Sequence, residues 1–395
     1  MLSMKAKGIS PSPTLAIDAK FKEMKANGED VVGFGCGEPD FDTPQHIKDA
    51  AIEAINKGMT KYTPAAGTLD LRKAVAKKFK DENGLIYAPG DIVISNGAKH
   101  SLVNAFMAIL NPGDEVIIPA PFWVSYPEMV KIADGIPVIL NTLEENDFKA
   151  TVEDFEKALS PKTKAIIINS PSNPTGMIYS TEELKAIADF AVRHKLYVIS
   201  DEIYEHLIYE GKHTSIASFN EEIKALTIVI NGVSKTYAMT GWRIGYAAAS
   251  PEIAKIMANV QSHASSNPNS IAQAATVAAL AGGMEEVEMM KKHFIERRDY
   301  MIETINSIDG VSCKKPNGAF YIMMSIKGLI GKELYGKVIN NADDFANIFL
   351  DKAKVAVVPG TGFGAPEYVR WSYATSMENI KEGLERLKKL INNEY

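Results

Sequence analysis

The sequence predicts an α/β protein: a mostly parallel sheet covered on both faces by helices, with a smaller α+β domain beside it. Three observations predict this. From about residue 91 to about residue 250, near-continuous Val/Ile runs such as IVIS, EVIIP, KAIIINS and LTIVING alternate with helical periodicity. Strands buried on both faces read as continuous apolar runs rather than as alternation. The texture then changes after about residue 284, and the 395 residues exceed what one compact core uses.

Each element follows in turn. Ser12 and Pro13, ahead of TLAIDAKFKEMKANG, suit the N-cap and first position of a helix, with Gly28 as its stop. The turn-rich GFGCGEPDFDTP leads to an amphipathic helix over about 45–57. IVIS precedes a helix near 98–110, EVIIP one near 122–132, and KAIIINS one over 181–194. LYVISDE precedes a short helix beginning near Ile203, and LTIVING and IGYAAAS follow as strands. Beyond residue 284 a long helical pattern leads to strands VSCKK and GAFYIMMSI. A further helix, strands VAVVPG and YVRWSYA, and a last helix complete the chain. The expected division is a large domain over 45–287 and a small one built from 1–44 and 288–395.

Composition narrows the function classes. The chain is 46% hydrophobic and 23% charged, with formal net charge −6, so it lacks the basic excess of a nucleic-acid binder. Lys77 and Lys78 sit in a helical pattern of mixed charge and read as a solvated face. The two cysteines, Cys36 and Cys313, have no metal-ligand spacing and form no disulfide framework, which points to a reducing compartment. The start MLSMKAKGIS lacks the apolar core of a signal peptide. The alanine-rich AATVAALAGG falls short of the roughly 18 apolar residues that span a bilayer. A cytoplasmic protein is expected, with no metal site, nucleic-acid partner or membrane contact.

Ligands of open α/β sheets bind beyond the carboxyl ends of the strands, so residues at strand ends carry the information. In IVISNGAKHSL, Gly97 and Ala98 open a helix whose free N–H groups suit a phosphate. LYVISDE ends on Asp201, which either caps a following helix or offers a carboxylate to a cationic heteroatom. NSPSNPTG aims Asn173 into the crevice, or is simply a rigid turn. PFWVSYP sets Trp123 at its edge, as an aromatic platform or as core. The stretch LTIVINGVSKTYAMTGWRIGY places Lys235 and Arg243 between two buried runs. A lysine desolvated there, beside other cations, has a lowered pKa, as a Schiff-base lysine requires. A phosphate cradle, an acid for a ring nitrogen, an aromatic platform and a lysine together describe pyridoxal phosphate.

The chain resembles the class I, fold type I, pyridoxal-phosphate-dependent aminotransferases, above all the bacterial-type aspartate aminotransferases. The resemblance runs over nearly all of it, through GEPDFDTP, KYTPAAGTLDLR, NPGDEVIIPAPFWVSYP, NSPSNPTG, SDEIYEHLIYEG, SKTYAMTGWRIGY and VRWSYATS. It implies that Lys235 forms the Schiff base and shuttles the proton, and that Asp201 keeps the pyridine nitrogen protonated. Tyr204 and Asn173 would contact the ring 3-hydroxyl, and Trp123 would stack on its face. Gly97, Ala98, Ser234 and Arg243 would hold the phosphate, with Tyr62 reaching it from the neighbouring subunit of a homodimer with shared active sites. Arg370, assisted by the Gly37 backbone, would clamp the substrate α-carboxylate. Ping-pong transfer between an L-amino acid and a 2-oxo acid, aspartate and 2-oxoglutarate, follows from the resemblance.

For the distal carboxylate, one branch of the family uses an arginine of the neighbouring subunit, and VQSHASSNPNS offers none. The other branch uses a lysine after the phosphate turn with hydroxyls from the N-terminal segment, a pattern that Lys99, Ser12 and Thr14 match. Lys99 could instead lie on a merely exposed helix turn. Competing expectations are an aromatic or kynurenine-type aminotransferase and a β-lyase of the same fold. More remote is a pyridoxal-phosphate-binding regulatory domain, which the acidic balance disfavours.

Overall fold

The protein is described by a computed structural model over residues 2–11 and 13–395. Ser12, expected as a helix cap and substrate contact, lies outside the described residues. Among the described residues seven strands form the central sheet: β1 (Ile92–Ser95), β2 (Glu115–Ala120), β3 (Ile136–Asn141), β4 (Thr163–Asn169), β5 (Tyr197–Asp201), β6 (Thr227–Gly232) and β7 (Gly245–Ala248). Their spatial order is β1-β7-β6-β5-β4-β2-β3. Only β7 runs antiparallel to its neighbours; every other pairing is parallel. The sheet is therefore mostly parallel, as its runs of Val and Ile predict.

Burial explains why those runs lack alternation. Every residue of β1, β6 and β7 is buried, because helices cover both faces. The helices Ala98–Ile109 and Pro251–Ala264 enclose one hydrophobic cluster around Leu102, Phe106, Ile228 and Met257. The helix Thr181–His194 supports another around Phe155, Ile187 and Phe190. On the edge, β3 is half exposed and mixes Pro, Val and Leu, so its identity as a strand is less legible in the sequence.

A second sheet, of four strands, takes the order Val358–Pro359, Tyr368–Ser372, Tyr321–Ser325 and Ser312–Cys313, all antiparallel. The largest hydrophobic cluster runs without a break from Val75 and Phe79 through Tyr246 to Trp371 and Leu387. The two sheets thus share packed side chains, which holds Arg370, on the strand Tyr368–Ser372, against the carboxyl edge of the central sheet.

Three local expectations change. No helix begins at Ile203: residues after Asp201 form turns, because Glu202 and Glu205 are drawn into buried side-chain bonds. The apolar VAVVPG is two short pieces rather than one strand; Val355–Ala356 pairs in parallel with Val32–Gly33, and Val358–Pro359 joins the second sheet. Lys78 is not on a solvated face. It is buried and paired with Glu205, a partner 127 residues away that no local pattern announces.

Candidate active site

The carboxyl ends of the parallel strands supply the site. The chain leaves β1 at Ser95 for Gly97 and Ala98, β2 at Ala120 for Trp123, β4 at Asn169 for Asn173, and β6 at Gly232 for Ser234 and Lys235. Asp201 is the last residue of β5 and sits in register with Asn169 and Ile230. These turns enclose a cavity of about 450 Å³. Ala98, Lys99, Trp123, Asn173, Asp201, Tyr204, Ser234, Lys235 and Arg243 all line it, and Arg370, Gly37 and Thr14 close it from the other side.

Lys235 is deep in this cavity, where its ammonium donates to the Gly37 carbonyl and lies 5.9 Å from the Tyr204 and Phe320 ring centroids. Burial pushes its amine down from the ordinary lysine range to about 8, against the pull of the Glu38 carboxylate and with help from Arg370 and Arg243. About a tenth of the amine is thus neutral at pH 7, far more than for an ordinary lysine, as a nucleophile or base requires.

Asp201 is buried and accepts two hydrogen bonds: Tyr126 Oη donates to Oδ2 at 2.6 Å, and the Ile203 N–H to Oδ1 at 3.3 Å. Burial raises its carboxyl to about 6, and those two bonds restrain the rise. A carboxylate with this desolvation is poised to pair with a cation brought beside it.

Arg370 is buried. Its Nη1 donates to Asn173 Oδ1 at 2.9 Å and its Nη2 to the Gly35 carbonyl at 2.9 Å, while its Nε has no hydrogen-bond partner among the described residues. A buried guanidinium that lines the cavity and keeps N–H groups beyond the two bonds its Nη atoms make is a receptor for a planar anion.

The cationic end of the cavity has the form of an anion cradle. Gly97 precedes the 12-residue helix Ala98–Ile109 and has φ +87°; a Cβ there would run into the Arg243 guanidinium. Gly245 must also lack a side chain, because a Cβ would collide with the Ala98 nitrogen. Arg243 is oriented by Thr240 O at 2.9 Å and Asn96 O at 3.3 Å. A helix N-terminus, a guanidinium and the Ser234 hydroxyl together fit a phosphate.

Lys99 stands at the mouth of the cavity, its ammonium 4.9 Å from the Trp123 ring centroid, and burial plus the charge of Arg243 lowers its pKa. Trp123 in turn meets Tyr126 edge-on at 5.4 Å. Tyr62 is not in the cavity of its own chain; it is 90% exposed.

Sequence reasoning missed three residues here. Tyr126 follows Trp123 by three residues in PFWVSYP, but its partner Asp201 is 75 residues away and no local pattern marks it. Tyr321, whose hydroxyl is 2.8 Å from that of Tyr204, begins a strand that reads only as apolar. Glu38 accepts from Thr240 Oγ1 at 2.7 Å and joins the GEPDF turn to the turn before Arg243.

Comparison with known proteins agrees with this geometry. The family model of aminotransferase class I and II matches residues 29–387. Aspartate aminotransferase of Geobacillus stearothermophilus is 50% identical over 391 residues, covering 99% of this chain and 98% of that protein. Among solved structures, the aspartate aminotransferase of Rhizobium meliloti superposes with a TM-score of 0.96 at 44% identity, over 99% of both chains. That of Thermus thermophilus with maleate gives 0.94 at 44% identity, again over 99% of both. With a desolvated lysine, a buried aspartate and an arginine receptor converging on one cavity, the chain belongs to the class I and II aminotransferases.

Proposed function

We propose that the protein binds pyridoxal phosphate and transfers the amino group of L-aspartate to a 2-oxo acid, 2-oxoglutarate, by alternating half-reactions. The observation that carries this reading is that Lys235, Asp201 and Arg370 line a single cavity with an anion cradle at one end. The residues fit the cofactor: the cradle suits its phosphate, and the buried Asp201 suits its ring nitrogen. Pyridoxal phosphate supplies an aldehyde for amines and a ring that withdraws negative charge from the substrate Cα.

The protein's own groups do the rest. Arg243, Ser234 and the N–H groups after Gly97 hold the phosphate. Asp201, held by Tyr126, would pair with the protonated ring nitrogen. Asn173 and Tyr204 would hold the ring 3-oxygen, and Trp123 would stack on the ring. Arg370 orients the substrate by a bidentate grip on its α-carboxylate, with Gly37 beside it. Lys235, whose amine burial brings down toward neutral pH, takes the proton from Cα. Lys99 and Thr14 receive the distal carboxylate, as does Ser12 on the sequence pattern alone.

The same reading includes a homodimer in which Tyr62, exposed in one protomer, reaches the phosphate of its partner. It also includes the division at 45–287 and a cytoplasmic location; among the described residues no helix is long and apolar enough to cross a membrane.

The test is the absorption spectrum of the loaded protein before and after L-aspartate alone. Fading of the visible band with release of oxaloacetate is expected. A band that persists with aspartate but fades with phenylalanine would refute the dicarboxylic assignment and favour an aromatic substrate. No visible band in protein given excess cofactor would refute the whole reading.

A further inference from the structure

This inference rests on the pyridoxal-phosphate reading and concerns a residue that it leaves without a role. Tyr321 opens the strand Tyr321–Ser325 and is fully buried. Its hydroxyl oxygen is 2.8 Å from that of Tyr204. The Arg370 guanidinium carbon sits 4.4 Å from its ring centroid. Strand register explains the second contact: Tyr321 opposes Ser372 and Met323 opposes Arg370, so Tyr321 and Arg370 are diagonal neighbours on one face. Gly37 approaches the same hydroxyl, since a Cβ there would come within 3.1 Å of it.

Two phenols in contact share one hydrogen bond, and its direction matters. The Arg370 cation over the Tyr321 ring draws electron density from that hydroxyl and makes it the better donor. Tyr204 then accepts, and its own proton is left for an acceptor in the cavity. Burial holds Tyr204 well above the ordinary tyrosine range, so that proton is present throughout the working pH range.

We propose that Tyr321 is a positioning residue: it donates to Tyr204, directs the Tyr204 proton at the 3-oxygen of the bound ring, and so links that oxygen to the carboxylate receptor Arg370. A donor aimed at the 3-oxygen stabilises its anion and lowers the pH at which the cofactor-bound Lys235 nitrogen loses its proton.

The experiment is a pH titration of the visible band of the loaded protein, wild type against Tyr321→Phe, which keeps the ring under Arg370 and removes only the hydroxyl. The midpoint is expected to rise by about 0.3–1 pH unit, because an unpolarised and undirected Tyr204 is the weaker donor. The Kd of maleate, a dicarboxylate with no amino group, is expected to stay within about twofold, since the Arg370 platform is intact. A second variant carries 3-fluorotyrosine at 321, a more acidic phenol of similar size, and its midpoint is expected to fall. An unchanged or lowered midpoint in Tyr321→Phe overturns the proposal; a lowered one means that Tyr204 donates to Tyr321. A raised midpoint with 3-fluorotyrosine overturns it as well. Absence of a visible band in both wild type and variant would instead remove the cofactor reading on which it stands.

Discussion

The hydroxyl of Tyr126 donates to Oδ2 of Asp201 at 2.6 Å, with both residues buried at the carboxyl edge of the sheet. Asp201 Oδ1 carries only a longer bond, from the Ile203 N–H. Tyr126 therefore fixes the rotation of the carboxylate and leaves Oδ1 as the freer oxygen for a ring cation. Hydrogen bonds to charged groups contribute about 1.5–3 kcal/mol, so Tyr126→Phe is expected to lower kcat/KM for aspartate by about 10–100-fold. Steady-state kinetics at saturating cofactor measures it; a change below twofold would show that burial alone holds Asp201.

Arg370 is expected to tolerate no cationic substitute. Arg370→Lys keeps the charge but loses the planar fork that Asn173 and Gly35 orient, and kcat/KM is expected to fall by at least about 100-fold. Comparable turnover in the lysine variant would mean that charge, not geometry, binds the substrate.

Lys99 separates the dicarboxylic reading from its rivals. Lys99→Ala is expected to reduce kcat/KM for aspartate about 10–100-fold while leaving phenylalanine within about threefold. If aspartate turnover were untouched while Arg370→Ala abolished it, Lys99 would be only a neighbour of Trp123.

Capture of the cofactor should follow the charge of Lys235. Only the neutral amine attacks an aldehyde, and burial sets its pKa near 8. The rate at which cofactor-free protein takes up pyridoxal phosphate is therefore expected to rise with pH and level off above about 8. Stopped-flow absorbance gives the profile. A midpoint near that of an ordinary exposed lysine would contradict the desolvated environment.

Stability should depend on a carboxylate behind the site. Burial alone would raise Glu205, but Lys78, His206 and His213 hold it well below the usual carboxylate range. A depressed folded-state pKa gives stability that is present above the unfolded value and lost as pH falls below it. Acid unfolding should thus remove this contribution, and Lys78→Met, which leaves Glu205 to His206, His213, Asn83 and Asn231, is expected to cost about 1.5–3 kcal/mol at neutral pH, the worth of one hydrogen bond to a charged group. Urea denaturation across pH tests both, and equal stability of variant and wild type near pH 7 would sink the idea.

Much of this site was legible because its residues punctuate strand ends. In IVIS-NGA, YVISD and TIVING-VSK an apolar run stops and a chemical residue follows within three positions, so local pattern alone finds Gly97, Asp201 and Lys235. Arg370 is harder, since it lies inside a fully buried strand and is visible only through the resemblance of VRWSYATS. Tyr126, Tyr321 and Lys78 were missed for one reason: their significance lies in partners 75, 117 and 127 residues away.

Most of the central sheet and the strand ends that carry Gly97, Asp201 and Lys235 are readable in the sequence, because hydrophobic period and strand-end punctuation are local properties, and the family is readable through the resemblance of its motifs. Only the tertiary structure decided that Arg370 rests on Tyr321, that Tyr126 holds Asp201, and that a lysine read as solvated is buried against Glu205. Those contacts depend on cross-strand register and on the packing of one sheet against another, and neither is written in any short stretch of the chain.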